Sequence, residues 1–134
     1  MPTVRIEYQP QPEKWPEPIY RAFLKKLADK LPTIIAPEMN INGRDLHDGG
    51  VSENEILVDG VEYSHLSRNV NNVQITVIAH RFDERVARLD EVTTAIKNGV
   101  LEVLRDFDRD LTIGISVCLV EMGYASIQTQ TPTP

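Results

Sequence analysis

The chain has one cysteine, Cys118, in 134 residues. A single thiol cannot close a disulfide within the chain. Its place in the apolar run IGISVCLV predicts a small buried hydrophobe, because a reactive thiol needs an exposed, electropositive setting. One thiol also suits a reducing compartment, so the cytoplasm is the expected setting. Positive charge is in deficit: 14 Lys and Arg against 20 Asp and Glu leave a net charge of −6. That argues against a nucleic-acid binder, which presents a basic face. No apolar run approaches the ~20 residues that span a bilayer, so no membrane partner is expected. The first twenty residues carry charges and prolines where a secretory leader needs an apolar core, so none is expected. Aromatic residues make up only 6% of the chain. Trp15, Tyr8, Tyr20 and Tyr63 are expected in the core or at an interface rather than on a base-stacking platform.

What is present reads as strands alternating with helices. TVRIEYQ puts Val4, Ile6 and Tyr8 on one face and Arg5 and Glu7 on the other, the pattern of a half-buried strand. PQPEKWPEP then breaks regular structure. In IYRAFLKKLADKL, the residues Ile19, Tyr20, Phe23, Leu24, Leu27 and Leu31 follow a 3.6-residue period, which predicts an amphipathic helix. Pro16 and Pro18 fit its first turn, and Pro32 is expected to stop it. TIIAPEMNI and EILVDGVEY are short strand candidates, separated by the turn-rich NGRDLHDGG. NVQITVIAH alternates as a strand. ARLDEVTTAIKNGVLEVLRDF predicts a long helix with Leu89, Val92, Ile96, Val100, Val103, Leu104 and Phe107 on one stripe. LTIGISVCLVEM reads as a strand buried on both faces, and YASIQTQTPTP as a short edge strand that frays.

These elements form two β-α-β units. The expected fold is α+β: one four-stranded sheet with two helices on one face, leaving the other face for neighbouring subunits. The chain is expected to be a single domain, with a first unit over 1–65, a second over 66–124 and a tail over 125–134.

Pro2 directly precedes the first strand. If Met1 is removed, its ring nitrogen becomes a free secondary amine. A free α-amino group titrates near pH ~8, and burial or a nearby cation lowers that value towards the range useful to a base. Arg44, in the Gly/Asn/Asp turn, and Arg81, directly after VQITVIAH, carry planar guanidinium forks that could hold a carboxylate, and each also reads as a solvated surface charge. Arg5, Arg68, Arg85 and Arg88 read as ordinary surface residues. His47, His65 and His80 lack the spacing of a zinc site, so no metal is expected. RDLHDGG has no accompanying nucleophile motif, and Gly49–Gly50 is too short to cradle phosphate.

Three features resemble the tautomerase superfamily, and within it the 5-carboxymethyl-2-hydroxymuconate isomerases: the opening MPTVRIEY, the block VQITVIAHRFDERVARLDEVTTAIKNGVLEVLRDFDRDLTIGISVCLVEM, and the duplicated layout at this length. PQPEKWPEP and the long middle loop depart from the family pattern. The resemblance implies a cofactor-independent isomerase in which Pro2 serves as general base and acid, moving a proton in a small unsaturated keto or enol acid. It implies that Arg44 and Arg81 bind the substrate carboxylate or polarise its carbonyl, and that the protein is a homotrimer with sites at subunit boundaries. A non-catalytic oligomeric or interaction protein on the same scaffold is the alternative. An unrelated ferredoxin-like module that binds a small ligand is a third.

Overall fold

The computed structural model describes residues 2–121 and 123. Expectations for the tail beyond Gly123 lie outside the described residues. Strand β1 (Thr3–Tyr8) leads through the proline-rich segment into helix α1 (Glu17–Met39), then through two 3-10 turns into β2 (Leu57–Glu62). Strand β3 (Val73–His80) is followed by the short helix α2 (Asp83–Ala87), helix α3 (Leu89–Arg105) and β4 (Ile113–Val120). The sheet order is β2-β1-β3-β4. β1 pairs in parallel with β2, and β3 in parallel with β4, while β1 and β3 run antiparallel at the centre. This is the expected α+β sheet made from two β-α-β crossovers.

Both long helices cover one face. Val4 and Ile6 of β1 and Val73, Ile75, Val77 and Ala79 of β3 are buried beneath them. From α1 come Phe23, Leu27, Leu31, Ile35 and Met39, each four residues from the last and each at most 1% exposed. That spacing explains the main correction to the sequence expectation. Pro32 does not stop α1; the helix runs through Pro32 and Pro37 to Met39, and TIIAPEM is helical rather than a strand. A proline in a helix interior removes a hydrogen bond and costs about 3 kcal/mol. Fully burying Ile35 and Met39 recovers about 1.5–3 kcal/mol for each side chain.

The proline-rich segment closes the far end of the core. Trp15 is buried and its indole Nε1 donates to the Asp110 carbonyl at 2.9 Å. Its ring packs on Tyr20, Phe23 and Phe107. The Tyr20 hydroxyl donates to the Gln9 carbonyl at 2.8 Å, and burial pushes this phenol above its ordinary value.

The opposite face of the sheet is open. Ser116, Cys118 and Val120 of β4 are exposed there, so β4 is not buried on both faces, and Cys118 is exposed rather than a core hydrophobe. The physical reason is that β4 pairs only with β3 in the sheet and only one of its faces meets α3.

Helices α1 and α3 approach closely at Gly99. A Cβ there would lie 2.8–3.0 Å from three side-chain carbons of Ile34. Helix propensity alone favours Gly99→Ala by about 1 kcal/mol. The contact reverses the sign: urea denaturation is expected to show Gly99→Ala less stable than wild type, and a gain in stability would mean that the helices do not touch at this point.

Candidate functional site

The antiparallel pairing of β1 with β3 sets Thr3 opposite Ile78. The N-terminal end of β1 therefore lies beside the C-terminal end of β3. Pro2 has the same parity as Val4 and Ile6, and it is buried with them on the helix side. Its carbonyl accepts from the Leu57 N–H at 3.2 Å, which ties it to the start of β2. At the first residue of a strand, a missing N–H costs the ladder nothing.

Arg81 follows β3 directly. Its N–H donates to the Val120 carbonyl at 2.9 Å, and its side chain is exposed. Arg44 sits in the loop between α1 and β2. Its guanidinium reaches Glu84 Oε1 at 2.5 Å and, more weakly, the Asp48 carbonyl at 3.5 Å. Glu84 lies in the first turn of α2, just past Arg81. Its own backbone N–H and the Arg44 guanidinium hold its carboxyl below the usual carboxylate range. Pro2, Arg44 and Arg81 thus gather towards one end of the sheet. Arg81 is the less engaged of the arginines; Arg44 is already paired.

The loop carrying Arg44 is tightly built. Asp45 accepts from the Asp48 N–H with its side chain at 3.1 Å, and its carbonyl accepts from the Gly50 N–H at 2.6 Å. The Ile41 N–H donates to the Gly49 carbonyl at 3.0 Å, and Asn40 Oδ1 accepts from the Val51 N–H at 2.8 Å. Gly49 has φ +114°, a conformation that favours glycine. On the other side of the loop, Ser52 and Glu55 form a reciprocal cap. The Ser52 hydroxyl and backbone lower the Glu55 carboxyl, and the chain's amino terminus adds the smallest of the downward pulls.

The residue that sequence reasoning missed most clearly is Arg85. It reads as a surface arginine, yet it is only 5% exposed. Its Nε donates to the Met39 carbonyl at 3.0 Å, Nη1 to the His80 carbonyl at 3.0 Å and Nη2 to the Gly49 carbonyl at 3.2 Å. The guanidinium lies 5.1 Å from the centre of the Phe82 ring. Burial lowers its pKa from the ordinary arginine value, but an arginine stays charged in proteins. No local pattern signalled this, because its partners Met39 and Gly49 lie 46 and 36 residues away in the chain. Arg88 and Arg68 are exposed as expected; Arg88 pairs with Glu38 and Glu91. Arg5 is also exposed and lines a shallow depression of about 420 Å³ on the open sheet face, with Thr3, Leu57, Asp59, Thr76 and Ile78. Among the described residues, no group of three or more His, Cys, Asp or Glu is placed to hold a metal ion.

No family model and no curated protein matches the chain by sequence. Solved structures match it by fold. A native fused 4-OT superposes with a TM-score of 0.57 at 15% identity, over 96% of this chain and 94% of that one. A malonate semialdehyde decarboxylase, described with decarboxylase and hydratase activities, gives 0.58 at 12% identity, over 96% and 92%. A wild-type fused 4-OT described as a symmetric trimer gives 0.51 at 15% identity, over 92% and 91%. At these identities the likeness is one of fold, and the fold is tautomerase-like.

The tight loop yields a sharp expectation. A Cβ on Gly50 would sit 1.8 Å from the Arg44 carbonyl oxygen, which is backbone and cannot swing away. Gly50→Ala is expected to lower stability by at least about 1–3 kcal/mol, the usual cost of overpacking. Urea denaturation would show it; an unchanged midpoint would mean that the loop folds differently.

Proposed function

We propose that the protein is a cofactor-independent tautomerase that moves a proton within a small unsaturated 2-keto acid or its enol. The observation that carries this reading is the burial of Pro2 at the end of β1 that abuts the end of β3 and Arg81, in a tautomerase-like fold. With Met1 removed, Pro2 offers a secondary amine on a buried residue. Desolvation disfavours its charged form, and the positive charge of Arg81 acts in the same direction. The sum of these effects sets how good a base it is.

For a 2-hydroxydienoate, the Pro2 nitrogen accepts the hydroxyl proton at C2 and the oxygen electrons form the C2 carbonyl. The conjugated double bonds shift, and the distal carbon takes a proton back from the prolinium. The product is the unsaturated 2-keto acid, with no change in oxidation state. Arg81 binds the carboxylate and stabilises the charge that develops on the C2 oxygen. Arg44 joins it by sharing its guanidinium between Glu84 and substrate. Among substrates of this type, a 5-carboxymethyl-2-hydroxymuconate-like tricarboxylate fits the resemblance of the second β-α-β block.

The active assembly in this reading is a homotrimer. Leu57, Val61, Ile78 and Val120 are 58%, 38%, 37% and 37% exposed on the open sheet face, which suits burial between subunits. No helix among the described residues is long and apolar enough to cross a membrane. The lone thiol suits a reducing cytoplasm. The Arg44–Glu84 pair favours a second reading, because an arginine already neutralised is a poor carboxylate receptor. On that reading the scaffold is a non-catalytic oligomer.

The test joins intact mass to kinetics. The untagged protein is expected to be lighter by one methionine and to consume 2-hydroxy-2,4-pentadienoate. Pro2→Ala is expected to lose on the order of 10²–10⁴-fold in kcat, the range of a general acid–base group. Arg81→Ala is expected to cost roughly tenfold or more in kcat/KM, as loss of a charged hydrogen bond does. Turnover that survives Pro2→Ala would point to the non-catalytic scaffold with a contaminating activity.

A further inference from the structure

Arg85 has no acidic partner among the described ion pairs. A buried guanidinium without a carboxylate is costly, so what it binds matters. All the acceptors are backbone carbonyls, and they belong to separate segments. Met39 is the last residue of α1, whose final turn holds no basic residue of its own. Its carbonyl is one of the unpaired groups at the negative end of the helix, and a cation from elsewhere satisfies it. Gly49 belongs to the loop that carries Arg44, and its carbonyl also accepts from the Ile41 N–H. His80 is the last residue of β3, and the next residue is Arg81.

Resting on the carboxylate-binding roles proposed above, we propose that Arg85 is a positioning residue: by tying the carbonyls of Met39, Gly49 and His80 to one planar fork, it fixes the Arg44 loop against the strand end that carries Arg81. The fork is what the task requires. Three nitrogens at set angles meet acceptors on three segments, and the ring of Phe82 lies against the guanidinium. A lysine places one point charge there and cannot reproduce that geometry. The substrate carboxylate then meets two arginines whose separation is set by a buried group that never touches it.

The test uses Arg85→Lys and Arg85→Gln in the full chain. Amide exchange of Ile41, Gly50 and Arg81 is expected to speed up at least tenfold in both variants, with the interior amides of β1 and β3 unchanged. The Kd for 2-oxopentanoate, followed by NMR, is expected to rise at least tenfold, and kcat/KM on 2-hydroxy-2,4-pentadienoate is expected to fall by at least the same factor. Faster exchange throughout the sheet would make Arg85 a plain stability residue and overturn the proposal. So would local opening with an unchanged Kd. A wild type that binds 2-oxopentanoate but never turns over the dienol would sink the proton-transfer reading alone; weaker binding by the variants would still uphold the clamp.

Discussion

The candidate site depends on the parity of β1. Val4 and Ile6 face the helices, and strand alternation then puts Pro2 on the same side, at the end where β3 finishes. A slip of one residue would turn Pro2 to the open face and expose Val4 and Ile6. The apolar packing that holds the sheet against α1 and α3 therefore also fixes the surroundings of Pro2. In the proposed reading burial and chemistry are the same constraint: the core that stabilises β1 would also desolvate the Pro2 amine.

Around that fixed end, the loops do the positioning. The segment from Asn40 to Val51 is held by backbone turns, by Asn40 and Asp45 side chains and by glycines that permit its close contacts. Arg85 and Arg88 reach back from α2 and its end to the last carbonyls of α1. The C-terminus of one helix, the Arg44 loop and the end of β3 become one unit. Without such ties, a long loop beside a strand end would be the part of the molecule that opens most easily.

Much of this was legible in the sequence, and the exceptions have physical causes. Alternation in β1 and β3 and the 3.6-residue stripe of α3 gave those elements directly, because one face of each is buried and the other is not. Pro32 misled because its local penalty was read without the burial of Ile35 and Met39 beyond it. IGISVCLV misled because an apolar run does not reveal that its strand has only one covered face. Pro2 and Arg81 were singled out from sequence, and the fold brings their strand ends together. Arg44 was singled out too, but its pairing with Glu84, forty residues away, could not be seen. Arg85 was passed over because charge suggested surface, and its carbonyl partners Met39 and Gly49 lie 46 and 36 residues away.

The central claim is that Pro2 is a desolvated amine poised as a base. The most direct measurement is a ¹⁵N NMR titration of the Pro2 amine in protein whose Met1 has been removed. The account predicts a pKa clearly below the ~8 of a free α-amino group. A value at or above ~8 would contradict it, because the terminal proline would then be an ordinary, solvated cation at neutral pH.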